Sequence, residues 1–94
     1  PIVAIREYED DSELINKLNN SKGGLVAYVF TESKEKQNKF TSMLQFGMIG
    51  INNSMISSAE VPFGGIKESG YGREGGTEGL KEYLVEKYLS FGMQ

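Results

Sequence analysis

The 94-residue chain contains no cysteine and no histidine. Their absence excludes disulfides, thiolate and imidazole metal ligands, a cysteine nucleophile and a histidine general base within these residues. Positive charge is also scarce. Ten Lys and Arg against thirteen Asp and Glu give a formal net charge of −3, with no basic run. Such a chain lacks the electrostatic footprint for nucleic acid or an anionic membrane surface. It has no long apolar run and no signal-peptide pattern, so neither membrane insertion nor secretion is expected. The sequons Asn19-Asn20-Ser21 and Asn52-Asn53-Ser54 then read as coincidence.

What is present suits one domain. The hydrophobic share is 38% and the charged share 24%, ordinary for a globular chain. A chain of this length is expected to bury somewhat over ~60% of its unfolded surface. The run Ile2-Val3-Ala4-Ile5 predicts a short covered strand. Asp10 followed by Glu13 has capping-box spacing, and Leu14, Ile15 and Leu18 share one helical face. Asn19 to Gly24 ends that helix. Leu25 to Phe30 is the strongest strand signal. Thr31 or Ser33 caps a second helix, with Phe40, Met43 and Leu44 on one face and Gly47 at its exit. Met48 to Asn52 predicts a third strand. The order β-α-β-α-β with short, right-handed connections gives an α/β fold with a parallel sheet. Thr77 is expected to cap a last helix with Leu80, Tyr83 and Leu84 inward. Glu86 to Phe91 alternates polar and apolar, as a half-exposed strand does. A sheet of only three parallel strands leaves edges and a face bare, so cover is expected from a parent chain or from self-association. The chain begins at Pro1 with no initiator Met, directly in a strand-like run, as a piece of a longer protein would.

Between Pro62 and Gly76 lie six of the twelve glycines: Gly64, Gly65, Gly70, Gly72, Gly75 and Gly76. So many in an ordered domain require positive φ angles or close backbone approach. Gly70-Tyr71-Gly72-Arg73-Glu74-Gly75 fits G-x-G-x-x-G, but a dinucleotide fingerprint must leave a strand and open a helix. Here Gly64 to Ser69 reads as loop, and no acidic residue ends a second strand about 20 residues on. Lys67 and Arg73 are candidate anion contacts, partners of neighbours such as Glu68 and Glu74, or solvent-exposed charges. Asn52, at a strand end, is expected to pin the loop after it. The acidic cluster of Glu7, Glu9, Asp10, Asp11 and Glu13 lacks a calcium-loop glycine and reads as a solvated helix start. No metal site is expected.

Three segments carry a resemblance: Lys22 to Phe30, Phe46 to Asn52, and Pro62 to Gly75 with Gly79-Leu80 and Tyr83 following. Together they resemble the C-terminal part of the aldehyde dehydrogenase superfamily, across essentially the whole chain. Ile56-Ser57-Ser58-Ala59-Glu60-Val61-Pro62-Phe63 is most similar to the succinate-semialdehyde dehydrogenase branch. The resemblance implies that Ser57 helps hold the distal carboxylate of a semialdehyde. A hydroxyl can donate to a carboxylate oxygen, where the aromatic ring of other branches cannot. It implies that Phe63 is an aromatic wall of the substrate tunnel. It further implies a nucleophilic cysteine, a glutamate-activated water and a domain binding NAD or NADP, all upstream of these residues. Residues 1–84 would be the C-terminal portion of the catalytic domain. Residues 85–94 would form an oligomerisation strand joining dimers or tetramers.

Some betaine-aldehyde relatives bind a monovalent cation near the positions matching Lys67 and Gly70, which is not carried over here. The expected partners are the remainder of the parent chain, further copies of the protein and a small semialdehyde, in the cytoplasm. The residues leave two alternatives open: a non-catalytic α/β interaction module, and a nucleotide-binding domain using Gly70 to Gly75.

Overall fold

A computed structural model of the chain describes residues 1–93. Helix α1 spans Asp11–Asn19. Asp10 caps it, its carboxylate accepting from the Glu13 N–H at 2.7 Å, and Asp11 and Glu13 fill the first turn. These acids complement the positive end of the helix dipole. Strands β1 (Gly23–Gly24) and β2 (Val26–Val29) follow. Helix α2 spans Lys34–Met43, and Ser33 rather than Thr31 caps it, accepting from the Lys36 N–H at 3.3 Å. Then come β3 (Met48–Ile51), β4 (Ile66–Lys67) and a short helix α3 (Gly76–Lys81).

β2 and β3 pair in parallel, Val26 opposite Met48 through Val29 opposite Ile51, with α2 as the crossover. Ile15 from α1, Phe40 from α2 and Leu44 just after α2 are buried together. Leu14, Leu18, Ala27, Val29, Phe46 and Ile49 pack around them. Both helices therefore cover the same face of the β2–β3 ribbon. Tyr28 points to the other face and is half exposed. A second ribbon pairs β1 with β4 in antiparallel fashion, Gly23 opposite Lys67 and Gly24 opposite Ile66. Leu25 is thus where the chain leaves one ribbon for the other.

Several expectations are corrected. The parallel sheet has two strands, not three, because Ile2 to Ile5 forms no strand and stands in solvent. A lone extended segment has no ladder to satisfy its backbone groups. Glu86 to Phe91 forms no strand either, for the same reason. Gly23 and Gly24, expected in a turn, pair with β4. Met43 is half exposed because α2 ends there and Leu44 turns to extended φ and ψ. Gly75, not Thr77, stands at the start of α3, with no side-chain cap. Leu80, Tyr83 and Leu84 face solvent, since nothing among the described residues lies over them.

The accessible surface is 8226 Å², against about 5,400 Å² for a compact chain of this mass. The excess comes from apolar arms at both ends, and burial falls short of the expected share. The radius of gyration, 18.4 Å, likewise exceeds the roughly 12 Å of a compact domain of this length.

Candidate functional site

The glycine-rich segment is an ordered hairpin-like loop. Phe63 and Glu74 form an antiparallel bridge. The Phe63 N–H donates to the Glu74 carbonyl at 2.6 Å and the Glu74 N–H to the Phe63 carbonyl at 2.8 Å. This closure folds Gly75 back beneath the preceding loop, where the Gly76 N–H donates to the Ala59 carbonyl at 2.9 Å. Gly75 has φ 74°, and a Cβ there would lie 2.9 Å from the Val61 carbonyl oxygen. Both the angle and the space demand glycine.

Ser57 and Phe63 consequently line one open depression of about 270 Å³, together with Ser58, Ala59, Glu74 and Gly75. Ser57 is exposed and Phe63 half-buried. The structure brings the two expected site residues to one place, six positions apart in sequence, because the bridge turns the chain. Glu74 and Gly75 were missed as lining residues. The Gly75-Gly76 doublet was the available signal for a tight reversal there. Beside them, the Ser58 hydroxyl donates to the Glu60 carboxylate, and this bond, with the Glu60 N–H, holds that carboxyl below its ordinary value.

Neither candidate anion contact turns its side-chain charge onto an acid or leaves it free. Lys67 Nζ donates to the Asn19 carbonyl at 2.6 Å and the Ser21 carbonyl at 3.4 Å. It thereby neutralises the negative end of α1, where unpaired carbonyls collect. Arg73 Nη1 donates to the carbonyls of Gly65 and Gly72. Asn52 does not pin the loop after it. Its side chain binds Thr31 across the ribbon, and Asn53 instead holds Met55. Of the acidic cluster, Asp11 pairs with Lys36 at 3.3 Å, and no carboxylate group able to hold a metal occurs among the described residues.

The G-x-G-x-x-G run lies closer to its motif than the sequence suggested, since β4 precedes it and α3 follows. It still does not fit a dinucleotide. β4 is two residues long and antiparallel to its neighbour, and α3 has six residues. A Cβ on Gly72 would lie 3.0 Å from the Glu82 carboxylate, so an anion already stands at the glycine turn. A pyrophosphate there would meet like charge and an arginine already engaged by carbonyls.

Comparisons with known proteins agree with an α/β fold of small sheets and helices. The family model described as "Aldehyde dehydrogenase family" matches residues 1–89. A non-phosphorylating aspartate-semialdehyde dehydrogenase from Halomonas elongata is 42% identical over 92 residues, 98% of this chain and 19% of that protein. A succinate semialdehyde dehydrogenase from Acinetobacter baylyi is 40% identical over the same shares of both chains. The crystal structure of succinate-semialdehyde dehydrogenase from Burkholderia pseudomallei superposes with a TM-score of 0.82 at 39% identity, covering 87% of this chain and 17% of that one. Betaine aldehyde dehydrogenase from Staphylococcus aureus, in a structure with NAD+, gives a TM-score of 0.78 at 41% identity, covering 83% of this chain and 16% of that one. The chain spans about a fifth of the length of the curated relatives it matches. With the family match running through the ribbon, the glycine loop and α3, the chain belongs to the aldehyde dehydrogenase family.

Proposed function

We propose that the chain is the C-terminal part of an NAD(P)-dependent aldehyde dehydrogenase, and that the whole enzyme oxidises succinate semialdehyde or a similar semialdehyde to the acid. The observation that carries this reading is the shared depression of Ser57 and Phe63 beside the Phe63–Glu74 bridge. An apolar ring and a hydroxyl on one wall suit a substrate with a carbon chain and a polar end. The relatives named for aspartate and succinate semialdehydes share that chemistry: an aldehyde at one end and a carboxylate at the other.

In this reading Ser57 donates its hydroxyl hydrogen to the distal carboxylate. Phe63 excludes water along the chain of the substrate and restricts its path to the reacting carbon. A single hydroxyl does not compensate a buried carboxylate, so an arginine from elsewhere in the enzyme completes the site. The thiolate, the activating glutamate and the nicotinamide site likewise lie outside a chain that has no cysteine and no fitting cradle. The chain by itself is therefore inactive. Its exposed apolar arms, Ile2 to Ile5 and Tyr83 to Met93, are covered in the enzyme. Residues 85–94 supply a strand to the contact between subunits, where a partner strand provides the ladder that the single chain lacks.

The test is kinetic. Ser57→Ala in the full-length enzyme is assayed with succinate semialdehyde and with a neutral aldehyde of similar length. A loss confined to the acidic substrate supports the reading, and an equal loss for both removes the carboxylate role.

A further inference from the structure

We infer that Arg73 is the positioning residue for Phe63, holding it through the backbone of Gly64 and Gly65. The catalytic consequence rests on the reading of Phe63 given above, whereas the positioning itself rests on geometry. The bridge between Phe63 and Glu74 is a hydrogen-bonded pair, so the next such pair in an antiparallel ladder would be Gly65 and Gly72. That rung is not made by backbone groups. Arg73 Nη1 takes its place, donating to the Gly65 carbonyl at 2.8 Å and the Gly72 carbonyl at 2.7 Å. One nitrogen with two hydrogens ties the two carbonyls together.

The stem of the arginine is engaged as well. A Cβ on Gly64 would lie 2.8 Å from Arg73 Cδ and 2.6 Å from the Gly72 carbonyl oxygen, so the two chain segments touch without a gap. Gly65 is buried, and its carbonyl needs a donor. Arg73 forms no salt bridge among the described residues, so its charge is directed at carbonyl dipoles alone. This is the use for which guanidinium is better suited than ammonium: it stays charged, is weakly hydrated and fixes donor directions. Without it, the bridge between Phe63 and Glu74 would be the one cross-tie left between the two sides of the loop at Phe63. The Gly65 and Gly72 carbonyls would lose their shared donor, and the ring would lose its single direction on the wall.

The experiment places para-fluorophenylalanine at position 63 of the full-length enzyme and records its fluorine NMR signal with Arg73 intact, with Arg73→Gln and with Arg73→Lys. The expected result is one sharp resonance with Arg73, displaced or broadened by Arg73→Gln, and moved part of the way by Arg73→Lys, whose ammonium reaches less far. KM for the semialdehyde is expected to rise with the displacement while kcat falls less. Should Arg73→Gln not fold, the Arg73→Lys spectrum decides alone. A resonance unchanged in position and width in the soluble variants overturns the inference. Phe63→Leu, assayed separately, addresses the other reading: unchanged kcat/KM there removes the substrate role of Phe63, while the fluorine signal still decides the role of Arg73.

Discussion

The side chain of Asn52 closes on both backbone polar groups of Thr31. Its Oδ1 accepts from the Thr31 N–H at 2.8 Å, and its Nδ2 donates to the Thr31 carbonyl at 3.0 Å. The Asn52 N–H also donates to the Val29 carbonyl at 2.8 Å. Asn52 thus extends the β2–β3 ladder by one rung made of a side chain, at a position with φ 51°. The left-handed region is one that asparagine tolerates and most residues do not. Asn19 uses the same device at the other end of the core. It accepts from the Gln45 N–H and donates to the Met43 carbonyl, both at 2.8 Å, and so ties the end of α1 to the end of α2.

Replacing Asn52 separates two contributions. Asn52→Gly keeps the backbone angle and loses the two bonds to Thr31, at an expected cost of about 1–2 kcal/mol. Asn52→Ala loses the same bonds and adds left-handed strain of roughly 1 kcal/mol. The alanine variant should therefore be the less stable of the two, with the Thr31 amide exchanging faster in both. Denaturant midpoints and hydrogen exchange on the full-length protein check this, and equal midpoints would remove the strain contribution.

Gly47 marks where the glycine loop crosses the entry to β3. A Cβ there would lie 2.7 Å from Gly65 Cα and closer still to the Gly64 carbonyl oxygen, all of it backbone that cannot rotate away. Gly47→Ala should destabilise by about 1–3 kcal/mol, the usual range for overpacking. It should also shift Gly64 and Gly65 and with them Phe63, so kcat/KM falls even where the protein remains folded. A urea midpoint combined with the kinetic assay measures both effects.

For Ser57→Ala the expected loss toward the acidic semialdehyde is about 0.5–1.5 kcal/mol, roughly two- to tenfold in kcat/KM and mostly in KM. The loss grows if the carboxylate is left without another donor. The neutral aldehyde of similar length should show no such change.

Glu60 gives a pH prediction. The Ser58 hydroxyl, first, and the Glu60 N–H hold its carboxyl below the ordinary value. A lowered carboxyl contributes stability that is present above its unfolded pKa and is lost as pH falls through the lower folded pKa. Ser58→Ala should move the Glu60 midpoint upward, toward the ordinary glutamate value. An NMR titration of the Glu60 side chain reads this directly, and an unmoved midpoint would show that the hydroxyl is not its cause.

How much of this was legible beforehand varies element by element. α1 was readable because Asp10, Glu13 and the Leu14, Ile15 and Leu18 stripe agree on one helix. β2 and β3 were readable because Val26 to Val29 and Met48 to Ile51 are apolar and lie on either side of a capped helix. Ser57 and Phe63 came from a resemblance carried by their neighbours, not from any property of an isolated serine or phenylalanine. Arg73 was visible as a candidate anion contact within the resemblance segment, but its carbonyl partners were not.

By itself the sequence determined what is local. Caps, helical stripes and strand composition act over a few residues, and each residue carries that preference wherever the chain goes. The absence of cysteine and histidine likewise limits the chemistry before any folding. Tertiary structure decided what depends on distant partners. Ile2 to Ile5 and Glu86 to Phe91 carry strand-like patterns but form no strand here, because a ladder needs a second strand to satisfy its backbone. The six glycines between Pro62 and Gly76 signalled close approach without saying to what. Only the folded chain brings Gly64 and Gly65 against Gly47, turns Glu74 onto Phe63, and directs the charges of Lys67 and Arg73 to carbonyls instead of carboxylates.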